Sequence, residues 1–400
     1  MLLVLVVLTA LAFDFTNGFH DTANAMAASI ATKALTPKMA VILCATLNLV
    51  GALLSVEVAL TVTNAVIKIQ NADGTPIPAL TGNGGGALLL ILLAGLVGAI
   101  VWNLLTWLWG LPSSSSHALF GGLIGAALAG LGWEGVKWVG DGTKLDGVVG
   151  KVILPGLMSP LIAMIVAMVG TNLVFRVAAT LSEHYRTKGF RWGQVGAASL
   201  MSLSHGTNDA QKTMGVITLA LIASGHWSNT HEIPLWVKLA CALTIALGTY
   251  LGGWRIIRTM GKGLVEIASP QGMSADMSSA AVILASSQLG FALSTTHVAT
   301  GSIIGSGLGR PGAQVRWNTA GRMVAAWFTT LPLAALVGAA MWFVGNSLGA
   351  GLGGGAIFLI LCGLSLWMWW HSRREPIGHH NVNDDWTSAK EPQPQEVGVR

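Results

Sequence analysis

Two short polar segments interrupt long apolar stretches of this 400-residue chain: NGFHDTANA at residues 17–25 and SHGTNDAQK at residues 204–212. A second pair follows in the same order, PSSSSH at 112–117 and LSTTH at 293–297. The aspartates of the first pair are 188 residues apart, and the histidines that end the second pair are 180 residues apart. Because both pairs recur in one order at nearly one offset, the sequence predicts a duplicated domain.

The composition is typical of a membrane protein. Hydrophobic residues make up 52% of the chain and charged residues 10%, and the mean hydropathy is +0.64. Ordinary soluble domains contain about 25% charged residues, so the sequence predicts an all-α polytopic protein in contact with the lipid bilayer. Apolar stretches near the roughly 20 residues that cross a bilayer cover 39–62, 86–111, 152–175, 237–254, 323–344 and 354–370.

The distribution of lysine and arginine indicates how the two halves are oriented. The net charge of +5 is spread over short connections rather than one basic stripe, so nucleic acid is not an expected partner. With the N-terminus outside, 14 Lys and Arg fall in inside loops against five in outside loops. Equivalent segments then run in opposite directions, which predicts an inverted-repeat secondary transporter with broken helices and two re-entrant helical hairpins.

These patterns divide the chain into a first repeat, a connector, a second repeat and a tail. The predicted divisions are a first repeat at 1–175 with its hairpin at about 96–130, a cytoplasmic connector at 176–192, a second repeat at 193–371 with its hairpin at about 278–308, and a disordered cytoplasmic tail at 372–400.

Five charged residues fall within the predicted spans, where each costs about 2.5–3.5 kcal/mol near the bilayer centre. Ion pairs or water-facing helix ends remain alternatives to a functional site, above all for Asp14 and Glu57. Asp21, Asp209 and Lys212 lie in the duplicated segments and are predicted to be functional. The residues assigned to a coupling cation are Asp21, Asp209, Glu57, His20 and Lys212.

The Ser and Thr runs at 114–116 and 294–296 are predicted to cap the returning helix of each hairpin and to expose backbone N–H groups there. Breaks at Gly18 and Gly206 would add two more helix N-termini, and four such ends favour an anionic ligand. Small-residue helix packing is the alternative for either run taken alone. His117 and His297 follow the caps and are supporting candidates, each equally compatible with a core role.

The segments Gly18–Ala25 and Gly206–Lys212 contain Gly-x-x-Asp-x-x-Asn-Ala and Gly-x-Asn-Asp-Ala-Gln-Lys. With the two Ser/Thr tips, they closely resemble the inorganic phosphate transporter (Pit) family, in particular its bacterial low-affinity branch. The resemblance implies a multi-pass protein of the bacterial plasma membrane that carries inorganic phosphate, needs no cofactor and is not an enzyme; a homodimer is left open. The implied phosphate-binding residues are Thr22, Asn24, Ser114, Ser115, Ser116, Thr207, Asn208, Gln211, Ser294, Thr295 and Thr296.

The coupling ion and the substrate leave alternatives open. Many family members have Asn before the first Asp, whereas this chain has Phe19 and His20. This departure favours proton coupling, or transport of a divalent metal–phosphate complex, over sodium coupling.

A sulfate permease of the same family is a second interpretation, but sulfate has no proton to donate to the paired carboxylates. An intramembrane serine hydrolase is suggested only by Ser116 beside His117, and neighbours at i and i+1 do not face each other on a helix.

Overall fold

The computed structural model describes residues 1–59, 66–68, 78–140, 146–229 and 232–384, and this part of the chain is helical almost throughout. The first half contains α1 Leu2–Ala31, α2 Pro37–Ala52, α3 Pro78–Leu108, α4 Ser115–Leu131 and α5 Leu154–Ala179. The second half contains α6 Glu183–Ala223, α7 Leu235–Leu251, α8 Trp254–Lys262, α9 Ser269–Gln288, α10 Thr295–Leu308, α11 Trp317–Ser347 and α12 Ala350–Ser372.

Five of the described helices, α1, α3, α5, α11 and α12, are long and apolar enough to cross a membrane. Helices α7 and α8 would make a sixth span if this pair, bent by 67°, crosses as one unit. Helix α6 is longer than any of them but carries many polar residues. The prediction of an all-α membrane protein is confirmed.

The helices pack in matching pairs across the two halves. Helix α1 packs on α7 as α6 packs on α2, and α4 packs on α11 as α10 packs on α5. Equivalent glycines make equivalent close approaches: a Cβ at Gly121 would collide with the carbonyl oxygen of Leu331, and a Cβ at Gly301 with that of Pro160. The duplication that the sequence predicts is therefore repeated in the packing of the helices.

The predicted helix breaks at Gly18 and Gly206 are wrong, because α1 and α6 run without interruption through both positions. The two glycines are instead crossing points between helices. A Cβ at Gly18 would collide with the carbonyl oxygen of Ile245 on α7, and a Cβ at Gly206 with that of Asn48 on α2. Each lacks a side chain because another backbone passes there, as is common between membrane helices.

The helices extend further than the apolar pattern suggests. The hairpin arms α3 and α9 begin at Pro78 and Ser269 rather than near residues 96 and 278. Helix α5 continues to Ala179 and α6 begins at Glu183, so most of the predicted connector at 176–192 is helical. Charged residues such as Lys, Arg and Glu are good helix formers, so a helix does not have to end where the apolar residues end.

The start of the predicted tail is placed against the rest of the chain. The Arg255 Nη2 group donates hydrogen bonds to the carbonyl oxygens of Ser372 at 2.9 Å and Glu375 at 2.5 Å, and Val382 is buried. Residues 373–384 therefore differ from the predicted disorder, because the tail backbone supplies acceptors to a partly buried guanidinium group. Residues 385–400 lie outside the described part of the chain.

Candidate functional site

The returning helices of both hairpins begin with the predicted serine caps. The Ser114 hydroxyl accepts a hydrogen bond from the His117 N–H at 3.1 Å, and the Ser294 hydroxyl accepts one from the His297 N–H at 3.2 Å. Helices α4 and α10 start directly after these caps. The prediction that both runs cap helices is confirmed, and each helix presents its positive end at the tip of its hairpin.

Both tips meet the paired carboxylates of α1 and α6. In the first half the Ser115 hydroxyl donates to Asp21 Oδ1 at 3.1 Å, and in the second half the Thr295 hydroxyl donates to Asp209 Oδ2 at 2.9 Å. The Thr295 and Thr296 hydroxyls also lie 3.4 Å from Asp21 Oδ2 and Oδ1, respectively. All of these residues are buried, so the contacts form one enclosed polar cluster.

Each half also reaches the hairpin tip of the other half. Asn24 and Lys212 occupy equivalent positions, three residues after Asp21 and Asp209. The Asn24 amide donates to the Thr295 and Thr296 hydroxyls at 3.2 and 3.1 Å. The Lys212 ammonium group pairs with the Asp209 carboxylate, three residues before it on the same helix, and donates to the Ser116 hydroxyl at 2.6 Å.

The carbonyl oxygen of Leu293, just before the second cap, accepts several donors from the site. The Lys212 ammonium group lies 3.0 Å from it, and the Asn208 amide and the Ser116 hydroxyl each lie 3.2 Å from it. These contacts hold the first tip, the second tip and α6 together. Predicted site residue Asn208 therefore lies in the cluster, where it contacts the backbone of the second tip.

A histidine lies beside each carboxylate. His20 Nδ1 is 2.7 Å from Asp21 Oδ1, and His205 Nε2 is 3.0 Å from Asp209 Oδ2. The sequence motifs predict His20 in the site but not His205. The signal for His205 is its position four residues before Asp209, which places both side chains on one face of a helix.

Atoms of Asp21, His205 and Asp209 lie within 4.8 Å of one another and could together hold a metal ion. With neutral histidines, the cluster of two carboxylates and the Lys212 ammonium group has a net charge of −1. The two helix N-termini each add about half a positive charge. The site is therefore suited to a cation beside the carboxylates and an oxyanion at the helix ends.

Three residues expected at the site make contacts with nearby backbone groups. The Thr22 hydroxyl donates to the carbonyl oxygen of Gly18 at 2.7 Å, and the Thr207 hydroxyl donates to that of Leu203 at 2.8 Å. The Gln211 amide donates to the carbonyl oxygen of Thr207 at 2.5 Å. Each of these three contacts lies within one helix and does not reach the tips.

The segment after α2 is held by Gln211 and contains Glu57. The Gln211 side-chain oxygen accepts the backbone N–H of Val58 at 2.7 Å. Glu57, one residue earlier, is exposed, because α2 ends at Ala52 rather than continuing to residue 62. Glu57 therefore lies outside α2, the helix that the apolar stretch 39–62 was expected to form.

His117 and His297 lie directly behind the two tips and contact each other. Their ring centroids are 4.7 Å apart, and His297 Nδ1 is 3.1 Å from the carbonyl oxygen of Gly156. Each half therefore contributes one histidine to a contact between the halves. This contact supports the tips but lies outside the cluster of carboxylates and hydroxyls.

The fold and the site define a multi-pass plasma membrane protein with a buried polar centre built from two equivalent halves. The model of the phosphate transporter family matches residues 17–338, and the chain belongs to this family. The predicted family is confirmed.

Curated relatives are similar over most of their length. A protein of Mycobacterium bovis, named a probable low-affinity inorganic phosphate transporter, is 56% identical over 96% of this chain and 87% of its own length. A Bacillus subtilis protein of the same name is 41% identical over 86% of this chain and 98% of its own length.

Among solved structures, one titled "The sodium-dependent phosphate transporter" is similar with a TM-score of 0.73. The similarity covers 87% of this chain and all of the other chain, at 20% sequence identity. At this identity, the comparison establishes the shared fold alone.

Proposed function

We propose that this chain is a secondary active symporter that carries inorganic phosphate across the plasma membrane by alternating access, coupled to protons. The family and the names of the similar proteins support phosphate as the substrate. The site adds a chemical reason, because two capped helix N-termini and one ammonium group converge where an oxyanion would bind.

The single observation that carries the coupling is the contact of one hydroxyl, that of Thr295, with both carboxylates. The Thr295 hydroxyl lies 2.9 Å from Asp209 and 3.4 Å from Asp21. An anion at this tip would be repelled by each carboxylate by about 4 kcal/mol at 4 Å and an effective dielectric constant of 20. The Lys212 ammonium group offsets one of the two carboxylates, so phosphate entry requires a further positive charge, and a proton on a carboxylate or on the phosphate is the simplest one.

The same carboxylates favour phosphate over sulfate. Monohydrogen phosphate can donate its proton in a hydrogen bond to Asp21 or Asp209, whereas sulfate has none to donate and meets only repulsion. Discrimination of this kind works by penalising the wrong ligand rather than by tightening the right one.

A second candidate is transport of a divalent metal–phosphate complex. The observation that favours it is the group of Asp21, His205 and Asp209, whose ligand atoms lie within 4.8 Å. A nitrogen ligand suits transition metals such as Zn²⁺ better than Na⁺, which prefers oxygen ligands. Sodium coupling remains the third hypothesis, on the oxygen atoms of the two carboxylates.

The experiment is uptake of labelled phosphate into proteoliposomes that contain the purified chain. Proton gradient, sodium gradient and external divalent metal are each varied alone, and excess sulfate serves as the competitor. We expect an acidic exterior to drive accumulation, with no effect of sodium and little inhibition by sulfate. Uptake driven by sodium alone, or only with a divalent metal, would replace proton coupling by the corresponding alternative.

Alternating access rests on the matching halves and on the charge distribution. Helix pairs repeat between the halves, and the 14-to-five distribution of Lys and Arg orients them oppositely. In an inverted repeat, rocking of one half against the other exposes a central site to each side in turn. The buried carboxylates and tips fit an occluded state between these two exposures.

A further inference from the structure

A third buried carboxylate lies on α1 and takes no part in the contacts of the phosphate site. Asp14 is fully buried. It precedes Asp21 by seven residues, so the two side chains lie on one face of α1, two turns and about 10 Å apart. Asn17 lies between them, one turn from each. The face of α1 that reaches the site therefore continues as a polar strip towards the N-terminus of the chain.

Helix α6 supplies the matching contact. The Thr213 hydroxyl donates to Asp14 Oδ1 at 2.9 Å. Thr213 follows Asp209 by four residues and therefore lies one turn away on the same face of α6. The interface between α1 and α6 thus carries Asp21 with Asp209 at the site and Asp14 with Thr213 beyond it.

Two acceptor oxygens on this strip have no donor in the part of the chain that the structure describes. Among the described residues, neither Asp14 Oδ2 nor Asn17 Oδ1 has a hydrogen-bond partner. A buried ionised carboxylate with one hydroxyl donor is strongly disfavoured. A proton on Oδ2 removes the charge and turns an unpaired acceptor into a donor.

A metal ion fits this position less well than a proton does. Ca²⁺ takes six to eight oxygen ligands, and Mg²⁺ requires a near-ideal octahedron. The Thr213 hydroxyl is the one group that the described residues place within hydrogen-bond distance of the Asp14 carboxylate. One carboxylate and one hydroxyl are enough for a proton.

The charged and titratable groups that act on Asp14 come from two neighbouring helices. Asp209 and Lys212 of α6 interact with it electrostatically, and so does the Cys241 thiol of α7. Helix α3, which packs along α1, has no titratable residue in its sequence. Helix α12 also packs on α1 and carries Cys362 and His371.

We propose that Asp14 is a separate binding site for a coupling proton, distinct from the phosphate site. The inference rests on the proposed proton-coupled function. In the binding step an O–H bond forms at Oδ2 with a proton from the aqueous phase, and that bond breaks when the proton leaves on the other side. An ionised Asp14 adds negative charge about 10 Å from Asp21, on the helix face that leads to the proposed oxyanion position, and so disfavours the anion. Protonation removes that charge, so proton and phosphate binding favour each other reciprocally.

The test uses the full chain in proteoliposomes and separates exchange from coupled uptake. Asp14→Asn removes the titration, and Asp14→Glu keeps it. Glu134→Gln, at a carboxylate with a 90% exposed side chain, is the control. Phosphate exchange is measured with equal phosphate and equal pH on both sides. Gradient-driven uptake is measured with an acidic exterior, together with phosphate-dependent proton entry reported by an internal pH dye.

We expect Asp14→Asn to keep exchange within about twofold and to lose gradient-driven uptake and proton entry by about tenfold or more. Asp14→Glu should restore both, and Glu134→Gln should behave as the unmodified chain. Gradient-driven uptake unchanged in Asp14→Asn would overturn the inference and leave the proposed function intact. Equal loss of exchange and uptake in a variant that remains folded would also overturn it. Absence of proton entry in the unmodified chain would instead overturn proton coupling itself.

Discussion

The ammonium group of Lys212 lies 2.6 Å from the hydroxyl oxygen of Ser116, so a residue of the second half binds the hairpin tip of the first. The same group lies 3.0 Å from the carbonyl oxygen of Leu293 at the other tip. Lys212 is almost completely buried and pairs with Asp209. It therefore joins both tips and one carboxylate, and an arriving oxyanion would find its positive charge already at the site.

Replacement of Lys212 tests this role. Lys212→Met should raise the phosphate KM by about tenfold or more, because a hydrogen bond to a charged group is worth about 1.5–3 kcal/mol. Lys38→Met, at an exposed position near the start of α2, is the control and should stay within about twofold. Initial uptake rates over a range of phosphate concentrations give both KM values. An unchanged KM in Lys212→Met would remove the ammonium group from phosphate binding.

The two carboxylates should be equally necessary. We expect Asp21→Asn and Asp209→Asn each to abolish uptake while membrane insertion stays intact, because each carboxylate holds a coupling cation or accepts the phosphate proton. The exposed Glu134→Gln is again the control. Labelled-phosphate uptake, normalised to the amount of inserted protein, measures the effect. Uptake above about half the original rate in either variant would show that the carboxylate of that half is not necessary for transport.

The hydroxyls of the tips should determine affinity. Replacing residues 114–116 or 294–296 with Ala removes the caps and the hydroxyls that contact Asp21, Asp209 and Lys212. The phosphate KM should rise by roughly tenfold or more per tip, before expression falls. Ser347→Ala, at an exposed hydroxyl at the end of α11, should change nothing. If both triple variants kept the original KM, the runs would serve helix packing only.

Gly206 should matter for stability through its contact with α2. Gly206→Ala places a methyl group against the carbonyl oxygen of Asn48. Overpacking of this kind costs about 1–3 kcal/mol. Gly196→Ala is a matched control in the same helix, because a Cβ there meets no other atom within 4 Å. Thermal unfolding in detergent should show a lower midpoint for Gly206→Ala alone, and equal midpoints would contradict the proposed crossing point.

The sequence identified residues that the structure brings together in the candidate site, but not their contacts. The duplicated segments located Asp21, Asp209 and both tips, because charges inside a membrane are costly and are seldom duplicated without a function. The sequence could not pair Lys212 with Ser116, since that contact joins the two halves across 96 residues. The periodicity of apolar residues also does not distinguish a glycine that breaks a helix from a glycine at which another helix crosses. Gly18 was therefore assigned wrongly to a helix break.

Motif membership alone was an unreliable guide to side-chain contacts. Gln211 shares its segment with Asp209, yet its oxygen accepts the N–H groups of Val58 and Ala59. Conversely, His205 lies beside Asp209 although the motifs do not assign it to the site. The spacing of four residues between His205 and Asp209 indicates that their side chains share one face of a helix. The direction of the Gln211 side chain does not follow from spacing, because it depends on the segment after α2.

The last prediction concerns the side from which each tip is reached. The charge distribution places the first hairpin open to the outside and the second open to the inside. Ser115 and Thr295 are both buried in the structure, so a reagent reaches either position only when the carrier opens. We therefore expect Ser115→Cys to react with an impermeant thiol reagent from outside and Thr295→Cys to react from inside.

Both cysteines are introduced in a background without Cys44, Cys241 and Cys362, and that background alone should remain unlabelled. Saturating phosphate should protect both positions, because an occupied site between closed halves excludes the reagent. Sulfate at the same concentration controls for ionic strength and should protect less, since it cannot donate a proton to the carboxylates. Labelling of both cysteines from one side only, unchanged by phosphate, would rule out the inverted-repeat mechanism even if phosphate uptake itself were observed.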